Sequence, residues 1–372
     1  MPGTHATPDD LADYYTAGEV EALLKTRDDR VAALEKRMAA LEATPAPTPV
    51  PVPLPPSAGS YVVGINGTSL TLNGAAWRPA GHNDPSLAGH DTQAPTLAAV
   101  EARFKTLGPG TFIRTFMWEN IPTESIAPVL EIGAKYGIVF LLSLADGAEN
   151  PGTPEQYNPA WYSGGYKGRF WAHATRSLNR IKHLRNIILQ PMNETAHRGD
   201  GASTDQIIGF ESAVVDLCKS IMPHTPVFSG VCDTYYGWSD SAAELTAIMR
   251  KPDGMDMHSY EARNSNNFLR PNRWPANRAI LHGLNKPIIL GEFGAAKTGS
   301  TSHTRVERAA IAKSIMDSTF REGAAATAYW RVIRPGAYAD GDVMANGDSV
   351  REPWDTTVDL MLRNYKPPAA AA

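Results

Sequence analysis

The sequence predicts an α/β protein: a (β/α)8 barrel preceded by an N-terminal coiled-coil helix and a Pro-rich linker. Two observations predict the barrel. Eight short apolar runs follow an N-terminal hairpin pattern, and helical patterns separate them at spacings typical of strand–helix units. The alternative is an open doubly wound sheet, but no Gly-rich phosphate loop follows an early strand. The predicted segments are an N-terminal arm (1–18), a coiled coil (19–43), a linker (44–60), the barrel (61–366) and a tail (367–372).

Residues 19–43 carry a heptad pattern with one arginine in an otherwise apolar seam, which comprises Val20, Leu24, Arg27, Val31, Leu34, Met38 and Leu41. Two arginines then fall at position g and two glutamates at the following position e, namely Arg30, Arg37, Glu35 and Glu42. Because a helix of about three heptads is marginal alone, we expect a homo-oligomer, either a dimer or a trimer. The alternative is a single amphipathic helix packed on the main domain.

Residues 44–60 contain seven prolines. This composition is typical of a semi-rigid polyproline II rod and predicts a spacer between the coiled coil and the barrel. A ligand for an SH3-type domain is the alternative.

The charge pattern argues against two classes of partner. Residues 1–43 contain nine acidic and five basic residues, so that segment carries the whole formal charge of −4. The rest of the chain has equal numbers of acidic and basic residues. It therefore offers no excess positive charge to bind nucleic acid or an acidic membrane surface. The sequence shows neither a secretory signal nor an apolar run long enough to span a bilayer, so we expect a soluble chain without membrane insertion. Cys218 and Cys232 are expected to be two buried thiols.

The barrel domain is expected to begin with a hairpin and to continue through eight strands. The hairpin turns at Asn66-Gly67. The predicted strands occupy 77–83, 111–116, 137–145, 186–194, 226–233, 254–260, 287–294 and 326–332. Two of the intervening helices are expected to bury the stripes Leu97, Val100, Phe104 and Leu107, and Ile207, Phe210, Val214, Cys218 and Ile221.

Polar or aromatic residues end nearly all of these strands, where the active site of such a barrel forms. They are His82 and Asn83, Arg114, Asp146, Asn193 and Glu194, Asp233, His258 and Tyr260, Glu292, and Trp330. Glu194 and Glu292 each follow an apolar run directly. Two carboxyl groups facing each other across a barrel mouth can cleave a glycosidic bond, one as proton donor and the other as nucleophile. The alternative is two solvated loop acids.

The motifs "PMNE" (191–194) and "ILGEFG" (289–294) resemble those of clan A glycoside hydrolases, most closely family 5, the cellulase and mannanase-like group. The resemblance spans Tyr61 to Leu362 and includes "LTLNGAAWRPAGHN" (70–83). It implies a retaining double displacement with Glu194 as acid/base and Glu292 as nucleophile. Two departures are Thr195, where proline is usual, and "SLADG" (143–147), which lacks a frequent histidine.

The resemblance also implies substrate-binding roles. Asn193 would bind the sugar 2-hydroxyl, and Tyr260 would hold Glu292. Arg114 would support the nucleophile's charge, His258 would line the catalytic subsite, and Trp330 would be the sugar-stacking floor. His82 and Asn83 are further expected substrate contacts, and the loops offer Trp161, Tyr235 and Trp238 as stacking rings.

We expect no cofactor and no metal ion. The histidines show no metal-binding spacing. The segment "YADGDVMANGDS" (338–349) faintly resembles a calcium loop, but a hairpin turning at Asn346-Gly347 is the favoured interpretation.

The combined expectation is a retaining glycoside hydrolase that cleaves a polysaccharide and is displayed on an oligomeric stalk. The alternatives are a non-hydrolytic carbohydrate-binding adhesin and a structural tail subunit on the same fold. Both carboxylates and Asn193 are present, which favours the enzyme. A coiled coil, a proline rod and a glycan-cutting head resemble a bacteriophage tail-tip protein, which implies a virion location and other tail proteins as partners. An extracellular bacterial hydrolase is the rival.

Overall fold

The structure is a computed structural model. It describes residues 61–89, 95–119, 121–146, 159–195, 202–233, 242–259, 274–294, 305–330, 361–362 and 364–368. These residues belong to one compact unit, Pro55–Ala372. The predicted arm, coiled coil, linker and calcium-loop-like segment lie outside the described residues.

A small antiparallel sheet opens the described chain. Its strands are β1 (Val63–Asn66), β2 (Ser69–Leu72) and β3 (Ala75–Trp77), joined in that order. Asn66 pairs with Ser69 across the predicted turn, where Gly67 has a φ of 60°. The hairpin prediction is confirmed. Trp77 belongs to this sheet, so the first barrel strand begins later than the predicted residue 77.

Eight parallel strands form the barrel, which confirms the predicted fold class. They are β4 (Ala80–Asn83), β5 (Phe112–Phe116), β6 (Val139–Ser143), β7 (Ile187–Gln190), β8 (Phe228–Asp233), β9 (Gly254–Ser259), β10 (Ile288–Phe293) and β11 (Ala326–Tyr329). The hydrogen-bonded order runs from β7 through β6, β5, β4, β11, β10 and β9 to β8. A parallel bridge between Leu189 and Val227 joins β7 to β8 and closes the ring.

Helices follow the strands along the chain. The described helices are α1 (Leu97–Leu107), α2 (Thr123–Tyr136), α3 (Pro159–Tyr162), α4 (Arg169–Ile181), α5 (Thr204–Ile221), α6 (Ala242–Ile248), α7 (Trp274–Gly283) and α8 (Arg305–Arg321). Ser203 and Gln206 form a capping box at the start of α5, so local sequence fixes where this helix begins. No helix among these residues is both long and apolar enough to cross a membrane.

The core has an inner and an outer layer. Inside the ring, Leu70 of the hairpin packs with Phe112, Ile188 and Phe228 near the N-terminal strand ends, so the small sheet closes that end. The outer layer lies between strands and helices. The predicted stripe of α5 is buried there, apart from its partly buried last residue, Ile221. The prediction for Leu97 is wrong: it is 45% exposed, because it is the first residue of α1 and the helix packs from Val100 onward.

Candidate active site

A β-bulge aims Glu292 into the C-terminal end of the barrel. The register between β9 and β10 shifts between Leu290 and Glu292, which leaves Gly291 as the extra residue. A Cβ atom at position 291 would lie only 1.8 Å from Oδ1 of Asp256. Glycine is therefore required here, because the Asp256 carboxylate occupies the space that any side chain would take. The "ILGEFG" motif positions its glutamate through this glycine.

The turn after β7 positions Asn193 and Glu194. Asn193 pairs with Asp146 at the end of the neighbouring strand, both through the backbone and through a 2.9 Å bond from its Nδ2 to Oδ1 of Asp146. Glu194 has a φ of 47°, a left-handed conformation that is uncommon for a residue other than glycine. Its carboxyl nevertheless reaches the barrel mouth, where the residue is 9% exposed.

Arg114 is the buried cation at the centre of the site. Its Nη1 lies 2.5 Å from Oε1 of Glu292, and its Nε lies 3.1 Å from Oδ2 of Asp256. The guanidinium also donates hydrogen bonds to the side-chain oxygens of Asn83, Gln190 and Asn193. The two charged partners balance a group that would be costly to bury alone. Arg114 therefore contacts Glu292 directly, and its support of a nucleophile's charge stays a prediction.

His258 lies between the two glutamates. Its Nδ1 is 2.6 Å from Oε1 of Glu194 and 3.5 Å from Oε2 of Glu292. One carboxylate oxygen from each glutamate and one ring nitrogen all lie within 4.8 Å of one another. The two carboxyl groups therefore face one small volume.

The charges in this cluster set the protonation of the histidine. Burial alone would lower the pKa of His258, but the charges of Glu292 and Asp256 and hydrogen bonds to Asp256 and Glu194 raise it well above the ordinary value of 6.5. Burial would raise the pKa of Asp256, yet Arg114 and His258 hold it below its ordinary value. At neutral pH the imidazole is therefore a cation and Asp256 an anion.

The two glutamates differ in how they contact the buried cations. Two buried cations, Arg114 and His258, face three carboxyl groups. Asp256 and Glu292 contact both Arg114 and His258, so these two carboxylates balance both buried cations even when Glu194 carries the proton that it transfers. Such a group can act as a general acid.

Glu194, His258 and Glu292 are also the one group of potential metal ligands among the described residues. A metal ion binds a neutral imidazole, so an ion bound here would have to displace the proton that the raised pKa of His258 favours.

Several other predicted residues lie around this cluster. Trp330 is partly buried at the end of β11, with its ring 6.4 Å from that of Phe116. Asn83 is fully buried and bonds to Arg114 and to three backbone carbonyls, which places it beneath the site as support. His82 is buried too, and its Nε2 lies 3.0 Å from Nη2 of Arg103.

Trp161 lies in a different setting. It is 8% exposed, and its ring contacts an aromatic cluster of the core composed of Tyr162, Tyr166, Phe170 and Phe210. The structure therefore gives this ring a packing role, and a sugar contact for it stays a prediction. Tyr235, Trp238 and Tyr260 lie outside the described residues.

Asp256 and Gln190 are the site residues that sequence reasoning missed. Asp256 and His258 point to the same side of β9 because they are two residues apart. Gln190 ends β7 and donates from Nε2 to Oδ2 of Asp256 at 2.8 Å. A charged residue inside the apolar run "GMDMHSY" was the available signal. Asp146 was recognised as a strand end but given no role.

Comparisons with known proteins agree with this fold. No protein-family model matches the chain, and no curated protein matches it significantly. Among solved structures, the endo-1,4-β-mannanase from Rhizomucor miehei is 20% identical, with a TM-score of 0.60 over 82% of this chain and 100% of that one. The endo-β-1,4-mannanase from Thermotoga petrophila is 15% identical, with a TM-score of 0.58 over 78% and 76%. The β-D-glucuronidase from Dictyoglomus thermophilum is 15% identical, with a TM-score of 0.57 over 81% and 53%. Identities this low support a shared fold alone, and that fold is the (β/α)8 barrel of these glycoside hydrolases.

Proposed function

We propose that the protein is a retaining glycoside hydrolase. The observation that carries the proposal is the pairing of Glu194 and Glu292, whose carboxylate oxygens lie within 4.8 Å of each other at the C-terminal end of the barrel. Retaining enzymes hold their two carboxyl groups about 5–5.5 Å apart, whereas inverting enzymes leave about 6.5–9.5 Å for a water molecule. The short separation favours retention.

Each residue of the cluster has a role in this mechanism. Glu194 protonates the glycosidic oxygen while the carboxylate of Glu292 attacks the anomeric carbon, and the bond to the leaving group breaks. Glu194 then takes a proton from water, which attacks the same carbon and releases Glu292. Arg114 orients Glu292 and keeps it ionised until it attacks.

Asn193 is suited to binding the substrate. Its Oδ1 accepts from Arg114, and its Nδ2 gives one of two hydrogens to Asp146. We assign the second hydrogen to the sugar 2-hydroxyl next to the attacked carbon. Trp330, partly buried beside Phe116, is the stacking surface in this proposal.

A polysaccharide screen tests the proposed activity. Wild type and Glu292→Gln are incubated with β-mannans first, because two structural neighbours are named mannanases, and then with other plant and cell-wall glycans. We expect new reducing ends with wild type and a loss of at least about 10³-fold with Glu292→Gln. Glu124→Gln, on the exposed surface of α2, is the matched control and should keep wild-type activity. Binding without hydrolysis by wild type would favour the adhesin.

We also propose that residues 19–43 assemble several copies of the chain on a stalk, at a virion tail or outside a cell. The support is the heptad pattern followed by the proline-rich segment. Sedimentation of the whole chain, compared with a chain lacking residues 1–43, should show a dimer or trimer that becomes a monomer. A monomer in both cases would contradict the coiled coil.

A further inference from the structure

The unusual backbone of Glu194 needs an explanation. Its φ of 47° lies in the left-handed region, which a residue with a Cβ atom occupies only where its surroundings impose it. The following residue, Thr195, is buried. The contacts of Thr195 therefore help to hold Glu194 in this conformation.

Thr195 is bonded through every polar group that it has. Its backbone N–H donates to the carbonyl of Gly230 at 3.2 Å, and its carbonyl accepts from the hydroxyl of Tyr162. Its side-chain hydroxyl donates to Oε1 of Glu211 at 2.6 Å. These partners belong to three different elements, β8, α3 and α5, so the turn is fixed from three directions.

Glu211 is the least expected of these partners. It is fully buried, on the inner face of α5, where a carboxyl group is costly. The groups that contact its carboxyl are the hydroxyls of Thr195 and Ser229, and Cys218 is a near neighbour on the same helix. None of these groups is a cation, so no ion pair within the described part of the chain explains the buried carboxyl group. Burial raises the pKa of Glu211 to about 8, which keeps it a neutral acid near pH 7.

We propose that Glu211 is a positioning residue for the acid/base glutamate: it holds Thr195, and through Thr195 it holds the carboxyl of Glu194 over the scissile bond. The family that the sequence resembles usually has proline at this position. Proline restricts its own φ and has no N–H, whereas Thr195 uses both its N–H and its hydroxyl. In this protein, hydrogen bonds of Thr195 would restrict the backbone of the turn in place of a proline ring. The proposal rests on the proposed function, because it assigns a role within that reaction.

The test compares two aryl glycosides of a sugar that the enzyme cleaves, one with a dinitrophenolate leaving group and one with a phenolate. A dinitrophenolate leaves without help from an acid, whereas a phenolate needs its oxygen protonated. If Thr195 positions the acid, Thr195→Val should lower kcat/KM for the phenyl glycoside by about 10- to 100-fold and for the dinitrophenyl glycoside by less than about 3-fold. Thr195→Ser, which keeps the hydroxyl, should restore the phenyl activity.

The partner residue provides an independent pair of variants. Glu211→Met removes the acceptor at similar length and should reproduce the selective loss. Glu211→Gln keeps an acceptor for Thr195 and should rescue the phenyl activity to within about 5-fold of wild type. Thr319→Val, a buried hydroxyl removed from α8, is the matched control, and any effect should be equal for both substrates. If one variant fails to fold, the other partner's variants still decide the question.

The possible outcomes separate the two proposals. Wild type that cleaves both glycosides, with equal or no losses in Thr195→Val and Glu211→Met, would overturn the role of Glu211 and leave the proposed function standing. Wild type that cleaves neither glycoside nor any glycan would overturn the proposed function, and the positioning role with it.

Discussion

Asp256 and His258 are two residues apart on β9, and Nε2 of the imidazole lies 3.4 Å from Oδ2 of the carboxylate. Both side chains are buried. The carboxylate therefore faces the side of the ring opposite to Nδ1, which contacts Glu194 and Glu292. His258 thus connects Asp256 to the two glutamates, so a change at Asp256 should alter the protonation of His258.

Asp256→Asn should lower the pKa of His258. The substitution keeps the shape but removes a charge that raises this pKa, so we expect the pKa of His258 to fall. The imidazolium state is stable below the pKa, so the histidine of the variant should lose its proton at lower pH. NMR titration of the imidazole nitrogens measures this. His173, which bonds to the carbonyl of Met117, is the internal control and should titrate unchanged. An unaltered pKa of His258 would contradict the charge network.

Gly291→Ala should disrupt the site. The added Cβ would lie 1.8 Å from Oδ1 of Asp256, so either the carboxylate or β10 must move. We expect a loss of unfolding free energy of about 2–4 kcal/mol and a loss of hydrolysis.

The matched control for that variant is Gly209→Ala. Gly209 lies on the exposed side of α5, where a Cβ has open space, so the substitution should stabilise the helix by about 0.5–1 kcal/mol. Urea unfolding measures both variants. Equal effects at the two positions would contradict the close packing of Asp256 against the bulge.

Glu211→Gln should stabilise the protein increasingly as the pH rises from 5 to 8. The pKa of Glu211 is raised from 4.5 to about 8 in the folded chain. Between these values the unfolded state binds fewer protons, so the unfolding free energy of wild type falls as the pH rises and is level above about 8. Glutamine does not titrate, so the variant does not lose this unfolding free energy. Proton linkage limits the loss in wild type to about 5 kcal/mol.

Urea unfolding at pH 5 and pH 8 measures the effect, and the difference between variant and wild type should grow by at least about 2 kcal/mol. Among the described residues, Thr195 and Ser229 are the polar groups that face this carboxyl, with Cys218 nearby on α5. Glu124→Gln, an exposed change on α2, should shift stability by less than about 0.5 kcal/mol at both pH values. A Glu211→Gln effect that does not change with pH would contradict the buried neutral acid.

The sequence predicted the parts of this molecule that periodicity and strand ends reveal. Apolar runs of four to six residues predict buried parallel strands, and residues following such runs lie at the barrel mouth, as Glu194 and Glu292 do. Side chains within a run were harder to assign, because alternate residues point to opposite sides of a strand. Asp256 was therefore missed. Glu211 was missed because only tertiary packing brings α5 against the turn at Thr195.

The most direct test of the proposed retaining mechanism is to trap the glycosyl-enzyme intermediate. A 2-deoxy-2-fluoro glycoside with a dinitrophenolate leaving group should react once per chain, because fluorine slows the release step more than the first step. Mass spectrometry of the intact protein and its peptides should find one glycosyl group, attached to Glu292, and no adduct on Glu292→Gln. An adduct on a different carboxyl group would contradict the assignment of Glu292 as the nucleophile.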